Sequence, residues 1–246
     1  MKVSIITVCF NSAGTIKDTI DSVLGQDYKD IEYIVVDGGS TDGTIDIILR
    51  NKDRISKFIS EPDKGIYDAM NKGIRLSTGD IIATLNSDDV YAENTIVGQM
   101  ADFIQSNCLD AAYGDLVYVD PGNNNRVSRF WKAGDYRQGA FYYGWAIPHP
   151  TFFCRKWVFE KYGCFNEKFH IAADFELLLR FVEAKQIKVG YLHRTIVKMK
   201  TGGKANVLRG MIHGNLEIMK SFRLNGLRLS PLFFIRKPIE KISQLL

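Results

Sequence analysis

Residues 81–89 read Ile-Ile-Ala-Thr-Leu-Asn-Ser-Asp-Asp, an uncharged run that ends on the adjacent carboxylates Asp88 and Asp89. The run predicts a buried strand, so both carboxylates would lie at the carboxyl edge of a sheet, where open α/β folds bind ligands. Two neighbouring carboxylates repel each other, and a hard divalent cation shared with a diphosphate would offset that repulsion. An ordinary turn is the alternative, since Asp is frequent in turns.

The first half of the chain alternates between strand-like and helix-like segments. Apolar and β-branched runs predict strands at residues 3–10, 31–36, 57–60 and 80–85. Apolar residues recur at helical spacing after Ser12, which is placed to cap the first helix, and again at 45–49 and 66–76. This alternation predicts the α/β class, with a parallel sheet and right-handed crossovers.

A different pattern follows residue 107. Strands are predicted at 110–120, 126–132 and 187–200, and helices at 155–161 and 172–185. We therefore expect a domain over residues 1–203, with a nucleotide-binding half at 1–107 and an acceptor half at 108–203. Residues 204–246 form a basic helical extension in this interpretation.

Composition favours one sizeable globular domain. The chain has 246 residues, of which 46% are hydrophobic and 24% charged. Its four cysteines have no CxxC spacing, which is typical of free thiols in a reducing compartment. The apolar run at the N-terminus is too short for a signal peptide, and no stretch approaches the ~20 apolar residues of a membrane span. We therefore expect a cytoplasmic protein.

The positive charge is concentrated at one end of the chain. Residues 204–246 carry eight Lys or Arg against two acids, whereas the whole chain has a net charge of +4. The main domain thus lacks a basic face, and nucleic acid is not an expected partner. Leu232, Ile235, Ile239, Ile242 and Leu246 share one helical face. This face predicts peripheral contact of residues 229–246 with the inner face of the cell membrane, and packing on the main domain is an equal alternative.

The turn after the first strand, Asn-Ser-Ala-Gly at residues 11–14, excludes two nucleotide-binding classes. It lacks both the G-x-G-x-x-G of dinucleotide-binding proteins and the phosphate loop of ATPases. Phosphate charge must then be met in another way, which favours a metal on Asp88 and Asp89. Asp37 ends the second strand, where it could accept the N3–H of uracil or thymine or could start an Asx turn.

Several ordered blocks together resemble the family 2 glycosyltransferases, which have the GT-A nucleotide-sugar transferase fold. The blocks are SIITVCFN (4–11), VVDGGSTDGT (35–44), EPDKGIYDAMNKG (61–73), LNSDD (85–89), HPTFF (149–153), GCFNE (163–167), AADFE (172–176) and GG (202–203). The resemblance covers about residues 3–203. It implies an inverting, metal-dependent transferase that moves a sugar from a UDP- or dTDP-sugar to an acceptor hydroxyl. Members of this kind build bacterial surface polysaccharide on lipid-linked glycans.

The resemblance implies roles for residues on the donor side. The residues expected to line or close the nucleoside site are Thr7, Asn11, Asp37, Asp63, Lys64 and Asn71. Asp88 and Asp89 would hold the ribose and a divalent metal, Mn²⁺ or Mg²⁺, either respectively or jointly. Asn86 stands where a strict D-x-D triplet has its first carboxylate, so metal binding depends on the other two residues.

On the acceptor side, Asp174 corresponds to the family's catalytic base, although Ala173 precedes it where many members have Glu. An acid in the first turn of a helix also fits a capping role. His149 would contact the diphosphate or the acceptor, or be structural. Trp145 would stack on a sugar ring or join a hydrophobic cluster.

Two other functions compete with an inverting transferase. A non-catalytic sugar-nucleotide-binding or scaffold module would not need both the Asp88–Asp89 pair and Asp174. A nucleotidyltransferase would need a glycine-rich, basic loop after the first strand, and residues 11–14 are not one.

Overall fold

The computed structural model describes residues 1–120, 123–201, 208–230 and 232–234, and in these residues nine strands form one sheet with helices on both faces. The strands are β1 Val3–Cys9, β2 Ile31–Asp37, β3 Lys57–Ser60, β4 Ile81–Thr84, β5 Asp89–Tyr91, β6 Ala111–Asp120, β7 Asn123–Trp131, β8 Phe153–Arg155 and β9 Val189–Lys200. The α-helices are α1 Ile16–Leu24, α2 Thr44–Leu49, α3 Ile66–Leu76, α4 Ile96–Ser106, α5 Lys156–Tyr162, α6 Ala173–Leu178 and α7 Leu208–Leu224. A π-helical segment, Leu179–Ala184, continues α6, and short 3-10 helices cover Lys52–Arg54, Ala140–Tyr143 and His149–Thr151.

The sheet has the order β3-β2-β1-β4-β8-β6-β9-β5, and β7 pairs with β6. The first four strands in this order are mutually parallel, which confirms the predicted βαβ half. The second half is mixed, because β8 runs antiparallel to both β4 and β6 while β6 and β9 are parallel. The predicted mostly parallel sheet therefore holds for the first half only.

Strand β1 lies in the middle of the parallel half and is buried along its whole length. Val3 and Ile5 pack with α1 and α4 on one face, whereas Ile6 and Val8 pack with α3 and α6 on the other. Since helices cover both faces, apolar residues face both sides of the strand, and only the buried Ser4 and Thr7 interrupt the apolar run.

The register of the parallel strands brings three loops to one edge of the sheet. Cys9 lies opposite Asp37 at the ends of β1 and β2, and Ile6 lies opposite Thr84 of β4. The segments that follow, residues 10–12, 38–40 and 85–89, therefore meet at the carboxyl edge, as the sequence predicts.

One local prediction is wrong, and three short or intervening elements were not predicted. Ser12 does not cap α1 with its side chain; the helix begins at Ile16 after Thr15, and the Ser12 hydroxyl instead lies 2.9 Å from that of Ser87. Strands β5 and β8 were missed because three residues are too few to show a period. Helix α4 also follows β5 without having been predicted.

The C-terminal residues within the described part of the chain pack on the main domain. Phe222 of α7 is buried, and Phe233 is 0% exposed with its ring 5.8 Å from that of Phe222 and 6.1 Å from that of Phe175. This contact supports the packing alternative for the start of the 229–246 segment. Gly202, Gly203 and the apolar positions from Ile235 to Leu246 lie outside the described residues. Among the helices that the structure describes, none has both the length and the hydropathy to cross a bilayer.

Replacing Phe233 by Ala should lower the free energy of unfolding by about 3 kcal/mol, because a fully buried ring is lost from the core. Urea denaturation of the full chain measures this. Leu232→Ala is the matched control, since Leu232 is 46% exposed and should change stability little. Equal stability of the Phe233→Ala variant and the parent protein would contradict the packing of this segment.

Candidate active site

The loop after β1 is held rigidly against the loop after β2. Asn11 has a positive φ of 49°, its backbone N–H donates to Ser40 Oγ at 2.8 Å, and its side-chain oxygen accepts from Thr41 N–H at 2.9 Å. Asn is one of the few residues that adopt this left-handed conformation readily. Asn11 thus fastens the loop after β1 to the loop after β2 at the carboxyl edge of the sheet.

The carboxylate of Asp37 is buried and forms an Asx-type turn. One oxygen accepts from Gly39 N–H at 3.0 Å, Ser40 N–H at 2.9 Å and the Ser60 hydroxyl at 2.7 Å, and the other accepts from the Ser40 hydroxyl. Burial raises the pKa of Asp37, but these donors outweigh burial and lower it. The geometry matches the turn interpretation, and a contact to the base would have to compete with these bonds.

Thr7 and Asn71 do not reach the open cleft. The Thr7 hydroxyl is buried and accepts from Tyr33 Oη at 3.1 Å. The Asn71 amide donates to Phe165 O at 2.9 Å and to Glu167 Oε1 at 2.8 Å, and it accepts from Phe165 N–H at 2.9 Å. Asn71 therefore ties α3 to residues 165–167, and the structure gives both residues supporting positions.

Phe10 and Asp63 pack over Gly38 beside the ends of β1 and β2. Phe10 is 60% exposed directly after β1. A Cβ on Gly38 would lie 2.3 Å from Asp63 Oδ2 and 3.4 Å from Phe10 Cδ2, so the close approach requires glycine. Lys64 is exposed beside this group, with its backbone N–H donating to Asp68. Sequence reasoning missed Phe10, although a large aromatic residue directly after a buried strand was available as a signal.

The neighbouring carboxylates Asp88 and Asp89 have different surroundings. Asp88 is half-buried, whereas Asp89 is fully buried at the start of β5 and accepts from the Asn86 amide at 3.1 Å. Burial raises the pKa of both carboxyls, and the charge of Asp88 raises that of Asp89 further. Without a cation, this pair is electrostatically costly.

The same turn has unused oxygen ligands. Asn86 Oδ1 and Asp89 Oδ1 are buried and lack a hydrogen-bond partner within the protein. Buried acceptors are normally satisfied, and carboxylate and amide oxygens are the ligands that Mg²⁺ and Mn²⁺ prefer. In the described part of the chain, no group of three or more His, Cys, Asp or Glu side chains is arranged so that it could hold a metal ion by itself. The residues present therefore fit a cation that takes its remaining ligands from a substrate diphosphate.

Lys200, which the sequence analysis did not single out, lies beside this pair. It ends β9, is buried, and its ammonium lies 3.0 Å from Asp18 Oδ2 of α1. Its positive charge counteracts the rise in the pKa of both Asp88 and Asp89. The two segments meet because β9 pairs with β5, with Met199 opposite Asp89. No local pattern predicts this pairing.

Asp174 lies in the first turn of α6 and is half-buried. Its Oδ1 accepts from Phe175 N–H at 2.8 Å and from the Tyr67 hydroxyl at 3.4 Å. His149 joins this group through ring contacts, because it packs edge-on against Phe165 at 5.4 Å and Phe165 stacks on Tyr67 at 5.6 Å. Burial lowers the pKa of His149, and the charge of Asp174 opposes that effect. The structure thus brings the predicted base and His149 into one cluster.

Trp145 is part of an aromatic cluster in the acceptor half. Its indole N–H donates to Ala133 O at 2.7 Å, and its ring packs edge-on against Phe141 at 5.3 Å. Phe141 in turn contacts Phe175, next to Asp174. The cluster interpretation of Trp145 therefore has direct support, and exposed Tyr143 lies beside it on the surface.

A parallel βαβ half that ends in a carboxylate pair, joined to a mixed half that carries Asp174, is the architecture of a nucleotide-sugar transferase. The model of the family described as "Glycosyl transferase family 2" matches residues 4–162, and the chain belongs to this family. The protein is a glycosyltransferase.

Its relatives share most of its length. A PGL/p-HBAD biosynthesis glycosyltransferase of Mycobacterium tuberculosis is 29% identical over 210 residues, which cover 83% of this chain and 79% of the relative. An uncharacterised glycosyltransferase from the same organism is 32% identical over 186 residues, which cover 72% of this chain and 68% of the relative.

Solved structures of glycosyltransferases confirm the GT-A fold. TarS 1–349 from S. aureus, in complex with UDP, superposes with a TM-score of 0.71 at 19% identity, covering 96% of this chain and 68% of that one. The mannosyltransferase PcManGT from Pyrobaculum calidifontis, in complex with GDP-Man and Mn²⁺, gives a TM-score of 0.67 at 18% identity. The superposition covers 98% of this chain and 68% of that one.

Proposed function

We propose that this glycosyltransferase is inverting and metal-dependent, and that it moves a sugar from a UDP- or dTDP-sugar to a lipid-linked glycan of the cell surface. The observation that carries the proposal is the separation of two carboxylate environments. One is the Asp88–Asp89 pair at the carboxyl edge of the sheet, where buried oxygens of Asp89 and Asn86 have no partner within the protein, and the other is the hydrogen-bonded Asp174 on α6. A donor diphosphate and an acceptor hydroxyl need these two environments respectively.

On the donor side, the nucleobase of the sugar nucleotide stacks on Phe10 beside Gly38 and Asp63. Asp88, Asp89 and the Asn86 amide oxygen would hold the cation, which supplies positive charge to the departing diphosphate. Lys200 contributes positive charge beside the pair, and its ion pair with Asp18 at 3.0 Å holds the ammonium in place. Together these residues bind and orient the diphosphate end of the donor.

On the acceptor side, Asp174 accepts the proton of the acceptor hydroxyl as that oxygen attacks the anomeric carbon. The bond from that carbon to the phosphate oxygen breaks in the same displacement, and the nucleoside diphosphate leaves. One displacement inverts the anomeric carbon, so no covalent nucleophile is required. The Tyr67 hydroxyl at 3.4 Å helps to orient the carboxylate.

Names of relatives support the choice of substrates. TarS structures contain UDP and UDP-GlcNAc, which favours a uridine donor, while PcManGT contains GDP-Man and makes a guanine donor the competing possibility. The Mycobacterium relatives are named for PGL/p-HBAD biosynthesis, which favours a glycolipid-type acceptor. We propose that transfer takes place in the cytoplasm at the inner face of the membrane, where such an acceptor is accessible.

A panel of nucleotide sugars tests the proposal directly. Purified protein should bind a UDP- or dTDP-sugar and hydrolyse it slowly with Mn²⁺ or Mg²⁺, and EDTA should abolish both. Calorimetry measures binding and chromatography of the released nucleotide measures hydrolysis. Binding without any hydrolysis or transfer would favour the non-catalytic sugar-nucleotide module, and preference for GDP-sugars would contradict the donor assignment.

Replacing Phe10 by Ala should weaken binding of UDP about tenfold, because stacking of a base on an aromatic ring is worth roughly 1–3 kcal/mol. Phe10→Tyr keeps the ring and should bind like the parent protein. Calorimetric titration with UDP and Mn²⁺ measures both variants. Unchanged affinity of the Ala variant would place the base elsewhere in the cleft.

A further inference from the structure

We propose that Glu217 of α7 is a positioning residue for Asp174, an inference that rests on the proposed role of Asp174 as the base. The Glu217 carboxylate accepts three consecutive backbone N–H groups: from His170 at 2.8 Å, from Ile171 at 2.9 Å and from Ala172 at 2.8 Å. Successive N–H groups that converge on one anion hold it strongly, and the anion in turn fixes their conformation. The segment 170–172 is therefore fastened to α7.

This segment leads directly into the first turn of α6. Ala172 is the residue before the helix, and Asp174 follows two positions later. Tyr67 of α3 holds the same segment from the other side, because its hydroxyl donates to Ile171 O at 2.9 Å. The backbone N–H groups of residues 170–172 thus bind α7, and the backbone carbonyl of Ile171 binds α3. Because the segment is held from two sides, the direction in which α6 presents Asp174 is fixed.

Helix α7 is itself anchored well enough to act as a support. Ile218 and Phe222 are buried in the core beside α6. Gly214, one turn before Glu217, lies close to the same segment, since a Cβ there would be 3.4 Å from Ile171 Cγ2. Glu217 is half-buried and fully engaged with the backbone, which distinguishes it from a solvated helix acid.

The consequence for catalysis follows from the geometry of proton transfer. A general base must lie within hydrogen-bond reach of the proton that it accepts. A displacement of about 1 Å can cost about 100-fold in rate. Gln at position 217 has one acceptor oxygen, and its NH₂ group would face the backbone N–H groups. Segment 170–172 would then shift, and Asp174 with it, while the donor side at residues 85–89 keeps its own contacts.

The test uses Glu217→Gln in the full chain. We expect kcat, expressed per functional donor-binding site, to fall about 10- to 100-fold. The Kd for UDP with Mn²⁺ should stay within about twofold of that of the parent protein. Counting sites by calorimetric stoichiometry removes the effect of misfolded protein. Glu217→Asp keeps the charge on a shorter side chain and should recover part of the lost rate.

Leu216→Ala is the matched control, because Leu216 precedes Glu217 on α7 but is 57% exposed, so the change alters the helix without touching the carboxylate or the buried side of α7. This variant should keep its turnover per binding site. If it loses as much turnover as Glu217→Gln, a general perturbation of α7 explains the effect and the proposal is overturned. Parent-level turnover of Glu217→Gln overturns it as well.

A double-mutant cycle separates this inference from the proposed function. In an Asp174→Asn background, Glu217→Gln should cause little further loss of rate, because the group that it positions has already lost its basicity. A full additive loss would overturn the positioning role. If Asp174→Asn alone turns over like the parent, the base assignment itself fails; if only Asp174→Asn is impaired, the base assignment stands and the role of Glu217 fails.

Discussion

Asp174→Asn should lower kcat about 1000-fold while leaving the Kd of the donor nearly unchanged. General base catalysis contributes about 10²–10⁴-fold, and the amide of Asn has no useful basicity. The side-chain oxygen of Asn can still accept from Phe175 N–H, so the first turn of α6 keeps its shape. A loss of this size with intact donor binding identifies a group that acts on the acceptor.

Steady-state kinetics with the acceptor and calorimetry with UDP measure the two quantities. Asp46→Asn is the matched control, since Asp46 also lies in the first turn of its helix, α2, but is exposed and remote in the fold from Asp174. It should behave like the parent protein. Turnover at the parent rate in Asp174→Asn would remove the base from the mechanism.

The parallel half could be predicted because its signals are local. Strands β1, β2 and β4 are nearly continuous buried runs, and α3 was predicted at residues 66–76, the bounds that the structure shows. Parallel strands of this length end at a common edge, so residues 10–12, 38–40 and 85–89 could be placed together before the fold was known.

The remaining features depend on partners that are distant in the chain. Lys200 reaches the carboxylate pair through the pairing of β9 with β5, and Glu217 reaches the backbone of residues 170–172, just before α6, through the packing of α7. Neither contact leaves a periodic or spacing signal in the sequence. For the tail of the extension at 204–246, membrane contact and packing on the main domain were equal alternatives, and buried Phe233, which joins the core next to α6, supports packing at its start.

Polar residues near the cleft show a second limit of sequence reasoning. Asp37, Thr7 and Asn71 have suitable chemistry for a nucleoside site and lie near the right edge of the sheet. Their hydrogen-bonding groups are used by Ser60, by Tyr33 and by the 165–167 segment instead. Residue type identifies candidates, whereas only tertiary hydrogen bonds show which side chains are left available.

Replacing Asp88 and Asp89 together by Asn should reduce metal-dependent binding of UDP more than about 100-fold. Groups that only support metal ligands are worth about 10–100-fold in metal affinity, so removal of two ligands should exceed that range. Titration of UDP with Mn²⁺ and with EDTA, for parent and variant, gives the result. Equal affinity of the parent protein under both conditions would show that UDP binding needs no metal.

Thermal stability separates a lost ligand from a damaged fold. Asp89 is fully buried and one of its oxygens has no partner within the protein, so its charge costs folding energy that Asn does not. The metal-free double variant should therefore be at least as stable as the parent while it binds UDP poorly. The single variants then rank the ligands: because Asp89 and Asn86 carry the unpartnered oxygens, Asp89→Asn should cost more metal affinity than Asp88→Asn. The reverse order would make half-buried Asp88 the principal ligand and leave Asp89 a structural role at the start of β5.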